Sequence, residues 1–401
     1  MRKTNESKLL PRLRFPEFET NGSWELMQIK DIIDTESSTL ALNKLELKEN
    51  GYAVYGADGI VGYIDNFQNS EPFISIVKDG SGVGRLNLCD ANTSVLGTLS
   101  ILKTKNENNF NQVWAYYLLS RINFSLYVKG SGIPHIYFSD YKSEKIGVPN
   151  PQEQQKIAAC LSSLDDVITA ESKKLEVLKE HKKGLLQNLF PQEGETVPKL
   201  RFKEFENSGE WEVKKLGDIG VPLMCKRIFK EETTTNSNDG VPFYKIGTFG
   251  RLADSYISKE IYEEYKSKYS FPKDGDILIS ASGTIGRLVI YDGTPAYFQD
   301  SNIIWLGHNE EKILNKFLFY CYSNLKWQTS DGGVISRLYN SDFIRMTINF
   351  PEKKEEQQKI TACLSSIDDL INAQSQKIET LKLHKKGLLQ GLFPDVNEHN
   401  G

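Results

Sequence analysis

Apolar residues recur at alternating steps of three and four along two long stretches of the chain. In the first stretch they are Ile157, Leu161, Leu164, Ile168, Leu175 and Leu178, and in the second they are Ile360, Leu364, Ile367, Ile371, Ile378 and Leu381. This spacing is typical of a helix that buries one narrow seam against a neighbouring helix. It predicts long helices over residues 150–191 and 352–394, packed antiparallel as a coiled-coil spacer.

The two stretches are near copies of one another, because residues 152–191 and 355–394 match almost throughout. Polar residues interrupt both seams at the same places, which are Glu171 and Lys182 in the first copy and Gln374 and Lys385 in the second. Random drift would not produce matching interruptions in both copies. They therefore predict that the two helices are packing partners and that these positions fix their register.

A shorter repeat precedes each variable region, with Trp24 and Trp211 in register. Each half is predicted to run from a leading segment through a variable domain into a long helix. The predicted domains are an N-terminal leading segment at 1–24, a first domain at 25–149, the first long helix at 150–191, a linker with the repeated leading segment at 192–211, a second domain at 212–351, the second long helix at 352–394 and a tail at 395–401.

Both variable regions contain sequences typical of two β-strands on either side of a glycine turn. Residues 73–88 and 274–291 each predict strand, turn and strand, and residues 112–121 and 313–325 each predict a short helix. The predicted fold class is α+β. Two globular mixed α/β domains are joined by two long antiparallel helices, and a pseudo-twofold internal repeat relates the halves.

Composition limits the kinds of function that are possible. The chain has 401 residues, 39% of them hydrophobic, which is enough for two domains with cores of their own. The net charge is −4, so any nucleic-acid binding has to depend on local surfaces rather than on bulk charge. The five cysteines form no CxxC pair, and no run of about eighteen apolar residues predicts a membrane span. We expect a cytoplasmic protein that binds no metal.

Motifs for covalent chemistry are missing from the sequence. It contains no Walker A sequence, no dinucleotide-binding glycine loop, no methyltransferase tetrapeptide and no zinc-protease motif. The paired carboxylates at 165–166 and 368–369 lie within the heptad text and are predicted to be solvated. His181 and His384 are equivalent helix positions and are expected to be structural. The chain is predicted to be non-catalytic and to carry no cofactor of its own.

Loops rich in Gly and Ser lie beside basic, amide and aromatic residues at matching places in both domains. Backbone amides and small hydroxyls can hold phosphates, whereas Arg and Asn can pair with base edges. The candidate DNA contacts are Lys78, Ser81, Arg85, Lys129, Ser131, His135 and Tyr137 in the first domain, and Lys226, Arg227, Lys230, Ser282, Thr284, Arg287, Arg337, Tyr339 and Asn340 in the second. For any one of them a solvated charge or a turn residue is the simpler interpretation. The recurrence of both sets at equivalent places is what indicates DNA.

The repeated text resembles the specificity subunit of type I restriction-modification systems over nearly the whole chain. The motifs are PNPQEQQKIAACLSSLDD and PEKKEEQQKITACLSSIDD, the helix endings HKKGLLQNLFP and HKKGLLQGLFP, and the leading texts LRFPEF and LRFKEF. The resemblance implies that each variable domain is a target recognition domain that reads one half of a bipartite, non-palindromic DNA target. It also implies that the helices set the gap between the halves and dock methyltransferase subunits.

The same resemblance implies several partners. They are double-stranded DNA, two methyltransferase (modification) subunits that carry S-adenosylmethionine, and two restriction subunits that carry ATP-driven translocation and cleavage, with Mg expected there too. A coiled-coil scaffold that never touches DNA is the alternative. It would explain the helices, but not two domains that keep one plan while their loops diverge.

Overall fold

The computed structural model describes residues 9–238, 240–327 and 337–396. The chain divides into two compact units, the first reaching Lys174 and resuming at Gln374, the second running from Leu175 to Ala373. Each unit therefore contains one variable domain together with part of each long helix.

In the first unit the chain forms one antiparallel four-stranded sheet with smaller sheets beside it. Its helices are α1 (Ile29–Ile32), α2 (Gln112–Leu119), α3 (Phe138–Tyr141) and the first part of α4 (Pro151–Leu189). Its strands are β1 (Glu25–Gln28), β2 (Ile33–Ser37), β3 (Tyr52–Gly56), β4 (Gly59–Ile64), β5 (Phe73–Val77), β6 (Leu86–Cys89), β7 (Ser94–Val95), β8 (Leu99–Thr104) and β9 (Lys145–Val148). The sheet orders are β2-β8-β5-β6, β4-β3-β7 and β1-β9.

The second unit repeats this plan with the same number of α-helices and with one more strand in its second sheet. Its strands are β10 (Glu212–Lys215), β11 (Val221–Leu223), β12 (Thr233–Thr234), β13 (Val241–Tyr244), β14 (Tyr256–Ile257), β15 (Ile277–Ser280), β16 (Leu288–Ile290), β17 (Tyr297–Phe298), β18 (Ile303–Gly307) and β19 (Thr347–Phe350). Its helices are α5 (Lys259–Lys268), α6 (Asn315–Asn324), α7 (Asn340–Phe343) and the first part of α8 (Lys354–Gly391). The sheet orders are β11-β18-β15-β16, β12-β14-β13-β17 and β10-β19.

The predicted strand, turn and strand pairs are confirmed in both units. Strands β5 and β15 are buried along their whole length, as expected for apolar β-rich text in the middle of a sheet. Each domain is closed by an antiparallel pair of its first and last strands, Glu25 opposite Val148 and Glu212 opposite Phe350. This pairing delivers the chain directly to the start of the long helix that follows.

The first long helix begins where its sequence predicts. The side chain of Asn150 accepts a hydrogen bond from the Glu153 amide at 2.9 Å, which caps the first turn behind Pro151. The buried seam residues are Ile157, Leu161, Ile360, Leu364 and Ile378, and the half-buried ones are Leu164, Ile168, Leu175, Leu178, Ile367, Ile371 and Leu381. In the first unit α4 and α8 run antiparallel, since Asp165 contacts Lys385 while Glu171 contacts Gln374.

A buried ion pair fastens each leading segment to the start of a long helix. In the first unit Glu153 is 1% exposed and accepts two hydrogen bonds from the Arg14 guanidinium, both at 2.8 Å, and a third from Trp24 Nε1 at 3.2 Å. In the second, Glu356 does the same with Arg201, at 2.7 and 2.8 Å, and with Trp211 Nε1 at 3.3 Å. We call each of these arrangements a clamp. Such bidentate pairs are among the strongest charge-assisted contacts.

A buried glutamine next to each clamp ties the long helix to its own domain. The side chain of Gln154 accepts from the Asn111 amide at 2.9 Å and donates to the carbonyls of Asn109 and Pro149 at 3.0 and 2.9 Å. Gln357 makes the same three contacts in the second unit, with the Leu314 amide and two carbonyls. The Glu-Gln pair that occurs at the start of both long helices is therefore explained by buried hydrogen bonds to both side chains.

Candidate nucleic-acid interface

In the first unit the glycine turn between β5 and β6 lies against a second loop. The Gly80 amide donates to the Pro134 carbonyl at 2.9 Å, and the Ile136 amide donates to the Lys78 carbonyl at 2.8 Å. The structure thereby brings together all seven candidates of this domain. Lys78, Ser81 and Arg85 belong to the turn, and Lys129, Ser131, His135 and Tyr137 belong to the loop.

Three of these seven side chains already have a polar contact within the unit, and one of them is His135, whose Nδ1 lies 3.3 Å from the Ile133 carbonyl oxygen. Lys129 pairs with Asp140 at 2.5 Å, and that hydrogen bond holds the pKa of the Asp140 carboxyl below its usual value. Arg85 donates to the Ala57 carbonyl at 2.9 Å and to Asp58.

The aromatic side chains of this loop pair offer a platform that bases can stack on. The His135 and Tyr137 rings lie 5.3 Å apart, and Tyr137 is 52% exposed. Base stacking on exposed aromatic rings tolerates any sequence, whereas the polar edges of the same side chains can discriminate between bases.

The second unit brings four of its nine candidates into one linked group. The Leu338 amide donates to the Ala281 carbonyl at 2.8 Å, which sets Arg337 beside Ser282. Arg337 donates to the Ser301 carbonyl at 2.8 Å, and the neighbouring Asp300 accepts from Arg227 at 2.9 Å. Lys226 is the residue next to Arg227 in the chain.

The remaining candidates of the second unit lie in three different places. Thr284 is exposed in the glycine turn, Arg287 ends that turn, and Tyr339 and Asn340 are exposed at the start of α7. Lys230 is exposed in a short 3-10 turn, and the contacts of the described residues do not join it to the group around Ser301. Gly332 and Gly333, predicted to match the Gly130–Gly132 loop, lie outside the described residues.

Equivalent arginines and glycines build the same turn frame in both units. Arg287 donates to the Phe249 carbonyl at 2.9 Å, as Arg85 does to Ala57, so each arginine ties its turn to a neighbouring loop. The preceding Gly84 and Gly286 have φ of +85° and +80°, and a Cβ there would lie 2.8 Å from Phe124 and 2.2 Å from Trp327. Both glycines are therefore required by backbone conformation and by close packing.

Two sequence-based expectations about the long helices are wrong. Asp165 and Asp368 were predicted to be solvated, but each accepts a tyrosine hydroxyl and a lysine ammonium from other elements. The spacing along one helix shows only the neighbours on that helix, whereas both partners come from elsewhere in the fold. His181 and His384, expected to be structural, are exposed.

Within the described ranges, no group of His, Cys, Asp and Glu side chains could hold a metal ion. The five cysteines are free, and burial raises the pKa of the Cys89 thiol to about 11. No helix in the part of the chain that the structure describes is long and apolar enough to cross a membrane.

The fold defines a class of protein in which a mixed α/β domain followed by a long helix occurs twice in one chain. The family model for the type I restriction modification DNA specificity domain matches residues 21–180 and 208–383. The chain belongs to this family.

Relatives and solved structures agree with this assignment. A putative type I restriction enzyme specificity subunit from Haemophilus influenzae is 36% identical over 320 residues, 80% of each chain. A type I specificity subunit from Methanocaldococcus jannaschii is 26% identical over 98% of this chain and 96% of its own. The S subunit crystal structure from M. genitalium shares the fold, with TM-score 0.65 and 19% identity over 97% of this chain and 100% of that one.

Proposed function

We propose that this chain supplies DNA sequence specificity to a type I restriction-modification complex. Each recognition domain reads one half of a bipartite, non-palindromic target, and the two long helices set the gap between the halves. The observation that carries the proposal is the packing of the glycine turn against a second loop, which both units share while side chains at equivalent places differ. The first unit has Lys78 and His135 where the second has Ala281 and Arg337. Both units keep an exposed tyrosine beside them, Tyr137 and Tyr339.

The chain itself does no covalent chemistry in this proposal. The methyl transfer belongs to two modification subunits that bind S-adenosylmethionine, and translocation and cleavage belong to two restriction subunits that use ATP and Mg. The modification subunits dock on the long helices. Exposed apolar side chains at Val167, Val177, Leu370 and Leu383, between 41% and 68% exposed, support docking there.

The test is a map of methylated adenines in a methylation-free host that expresses this chain with its cognate modification subunit. We expect a split motif that is missing when the modification subunit is expressed alone. Substituting His135 and Tyr137 with Ala should relax or change one half-site only, and substituting Tyr339 and Asn340 should affect only the other. Each good contact to a base edge is worth about 1–3 kcal/mol of discrimination.

The control is Lys268→Ala, which removes an exposed cation from α5 that is neither a candidate DNA contact nor part of a long helix, and it should leave the motif unchanged. Co-purification of the two proteins without any motif would contradict DNA recognition and favour the scaffold alternative. A change of both half-sites by either loop variant would contradict the assignment of one domain to each half.

A further inference from the structure

One carboxylate in the first unit joins three elements of the fold. Asp165 on α4 accepts a hydrogen bond from the Tyr117 hydroxyl on α2 at 2.7 Å. It also accepts two contacts from Lys385 Nζ on α8, at 2.5 and 2.7 Å. Lys385 Nζ lies 5.2 Å from the centroid of the Tyr117 ring, within the range of a cation–π contact. The three side chains therefore form a closed set, which we call the first triad.

The second unit contains the same arrangement. Asp368 on α8 accepts from the Tyr320 hydroxyl on α6 at 2.9 Å and from Lys182 Nζ on α4 at 2.5 Å. Lys182 Nζ lies 5.8 Å from the centroid of the Tyr320 ring. These residues form the second triad. In both triads the tyrosine comes from the domain, the aspartate from the helix that follows that domain, and the lysine from the other long helix.

This arrangement explains why two sequence motifs occur in both long helices. The first Asp of each SSLDD or SSIDD stretch pairs with the first Lys of the HKKGLLQ stretch on the opposite helix. The aspartates that follow, Asp166 and Asp369, are exposed, as are the histidines before the lysines. The inward-facing members of both motifs are thus the ones that meet.

The chemistry of a triad suits a register lock. Leucine and isoleucine seams tolerate sliding because their side chains are interchangeable, whereas a polar pair between helices is satisfied in one register only. Burial and the nearby aspartate raise the pKa of the Tyr117 and Tyr320 hydroxyls, which stay protonated donors at neutral pH. Because the domain supplies the tyrosine, the lock also fixes the domain helix against both long helices.

The dimensions of DNA show why a fixed register between the two helices would matter for the gap in the target. One base-pair step advances about 3.4 Å along the duplex. One turn of an α-helix advances about 5.4 Å. A slip of less than one turn between α4 and α8 would therefore be comparable to one base pair.

We infer that the two Tyr–Asp–Lys triads are positioning devices that hold the gap of the DNA target to a single length. This inference rests on the proposed function and deepens it, because it assigns gap fidelity to named residues outside the recognition loops. The triad residues touch no base in this scheme and act through the helices. Loss of a triad relaxes the gap and leaves both half-sites unchanged.

The experiment is the methylated-adenine map repeated with Lys385→Met and with Lys182→Met. We expect the ratio of methylation at native-gap sites to methylation at sites one base pair longer or shorter to fall about three- to tenfold in each variant. That range allows for partial solvent screening, since the lysines are 24% exposed in both triads. Tyr117→Phe, which removes one hydroxyl and keeps the ion pair, should give a smaller fall and guards against misfolding of the lysine variants.

Lys382→Met is the matched control, because Lys382 makes an exposed ion pair with Glu379 at 2.9 Å on the same helix. Lys385→Arg should restore the native gap ratio. A gap ratio that stays at the wild-type value in Lys385→Met, Lys182→Met and Tyr117→Phe would overturn the inference while leaving the proposed function intact. If the wild-type chain yields no split motif, the proposed function fails and the inference fails with it.

Discussion

The two units are nearly identical at the start of each long helix and differ most in the sheet beside each glycine turn. The clamp distances are 2.8, 2.8 and 3.2 Å in the first unit and 2.7, 2.8 and 3.3 Å in the second. The neighbouring sheets are β4-β3-β7 in one and β12-β14-β13-β17 with α5 in the other. Buried contacts that join a domain to the helices are thus kept, and exposed surfaces vary.

This contrast shows how one chain can carry two recognition surfaces on one frame. Clamps and buried glutamines involve groups that have no alternative partner once buried, so exchanging them would cost stability. Loop side chains such as Ile133, 70% exposed, and Leu252, 92% exposed, carry no such constraint. Exposed residues can therefore diverge while the frame remains the same.

The largest effect is expected from breaking a clamp. Arg14→Met leaves the Glu153 carboxylate buried without its cation, which should destabilise the first unit by about 3–5 kcal/mol. Arg201→Met should do the same in the second unit, because Glu356 is equally buried. Thermal unfolding of the full chain, with hydrogen exchange to locate the unit that opens, measures both.

Matched controls lie in the same segments. Lys156 pairs with Glu17 at 3.0 Å and Lys359 with Glu204 at 3.1 Å, and all four side chains are about half exposed. Removing either lysine should cost no more than about 1 kcal/mol. If Arg14→Met proved as mild as Lys156→Met, the clamp would not be what fastens the leading segment.

A smaller effect should separate the turn glycines within one unit. Gly80 and Gly84 both have positive φ, but a Cβ has open space at Gly80 and would lie 2.8 Å from Phe124 at Gly84. Alanine should cost about 1 kcal/mol at Gly80 from backbone strain. At Gly84 it should cost about 1–3 kcal/mol more from overpacking. Urea unfolding of both variants tests this difference.

The second unit supplies an independent copy of the glycine comparison. Gly283 and Gly286 both have positive φ, but the nearest atom to an added Cβ lies at 3.7 Å for Gly283 and at 2.2 Å for Gly286. Gly286→Ala should therefore be the more destabilising of the two. Equal costs within each unit would show that backbone strain alone sets the requirement for glycine.

Much of the fold could be predicted from the sequence because the same order of elements occurs twice along the chain. The strand, turn and strand text, the short helices α2 and α6, and the helix start behind Asn150 all follow from local pattern and capping. The composition of the two loops in each domain also predicts that they belong to one functional site. The contact between the two loops depends on tertiary hydrogen bonds from the Gly80 and Ile136 amides, which the local sequence does not predict.

The sequence does not predict the clamps, because their partners are far apart in the chain. Of the triads it predicts only the lysines, Lys182 and Lys385, as positions that fix the register of the helices. Arg14 and Glu153 are separated by 139 positions, and Asp165 and Lys385 by 220. A usable signal existed, since each partner recurs in the second copy at the equivalent place. Polar residues that recur at equivalent places in both repeats indicate contacts between elements more strongly than they indicate exposure to solvent. The roles of single loop residues in DNA binding stay predictions, because base contacts depend on docking geometry.

The smallest effect concerns Glu171 and Gln374, where equivalent positions contact each other and the two copies differ. Gln374 donates to the Glu171 carboxylate at 2.6 Å, and Lys377 donates to it at 2.5 Å. The Lys377 contact, and after it the Gln374 contact, hold the pKa of Glu171 below its ordinary value. These contacts therefore stabilise the fold above the unfolded pKa, about 4.3. The stabilisation is lost as pH falls through the lower folded pKa.

Gln374→Glu would place a second carboxylate against Glu171, and like charges raise the folded pKa of such a pair. The destabilisation should be present at neutral pH and disappear as pH falls through that raised pKa. The melting temperatures of variant and wild type should therefore converge between about pH 7 and about pH 4. Glu171→Gln, which leaves two amides in contact, should remove the pH dependence that this site contributes. A difference in melting temperature between variant and wild type that stays constant with pH would mean that the two side chains are not in contact. The contact would then not explain why the two copies of the repeat carry different residues at this position.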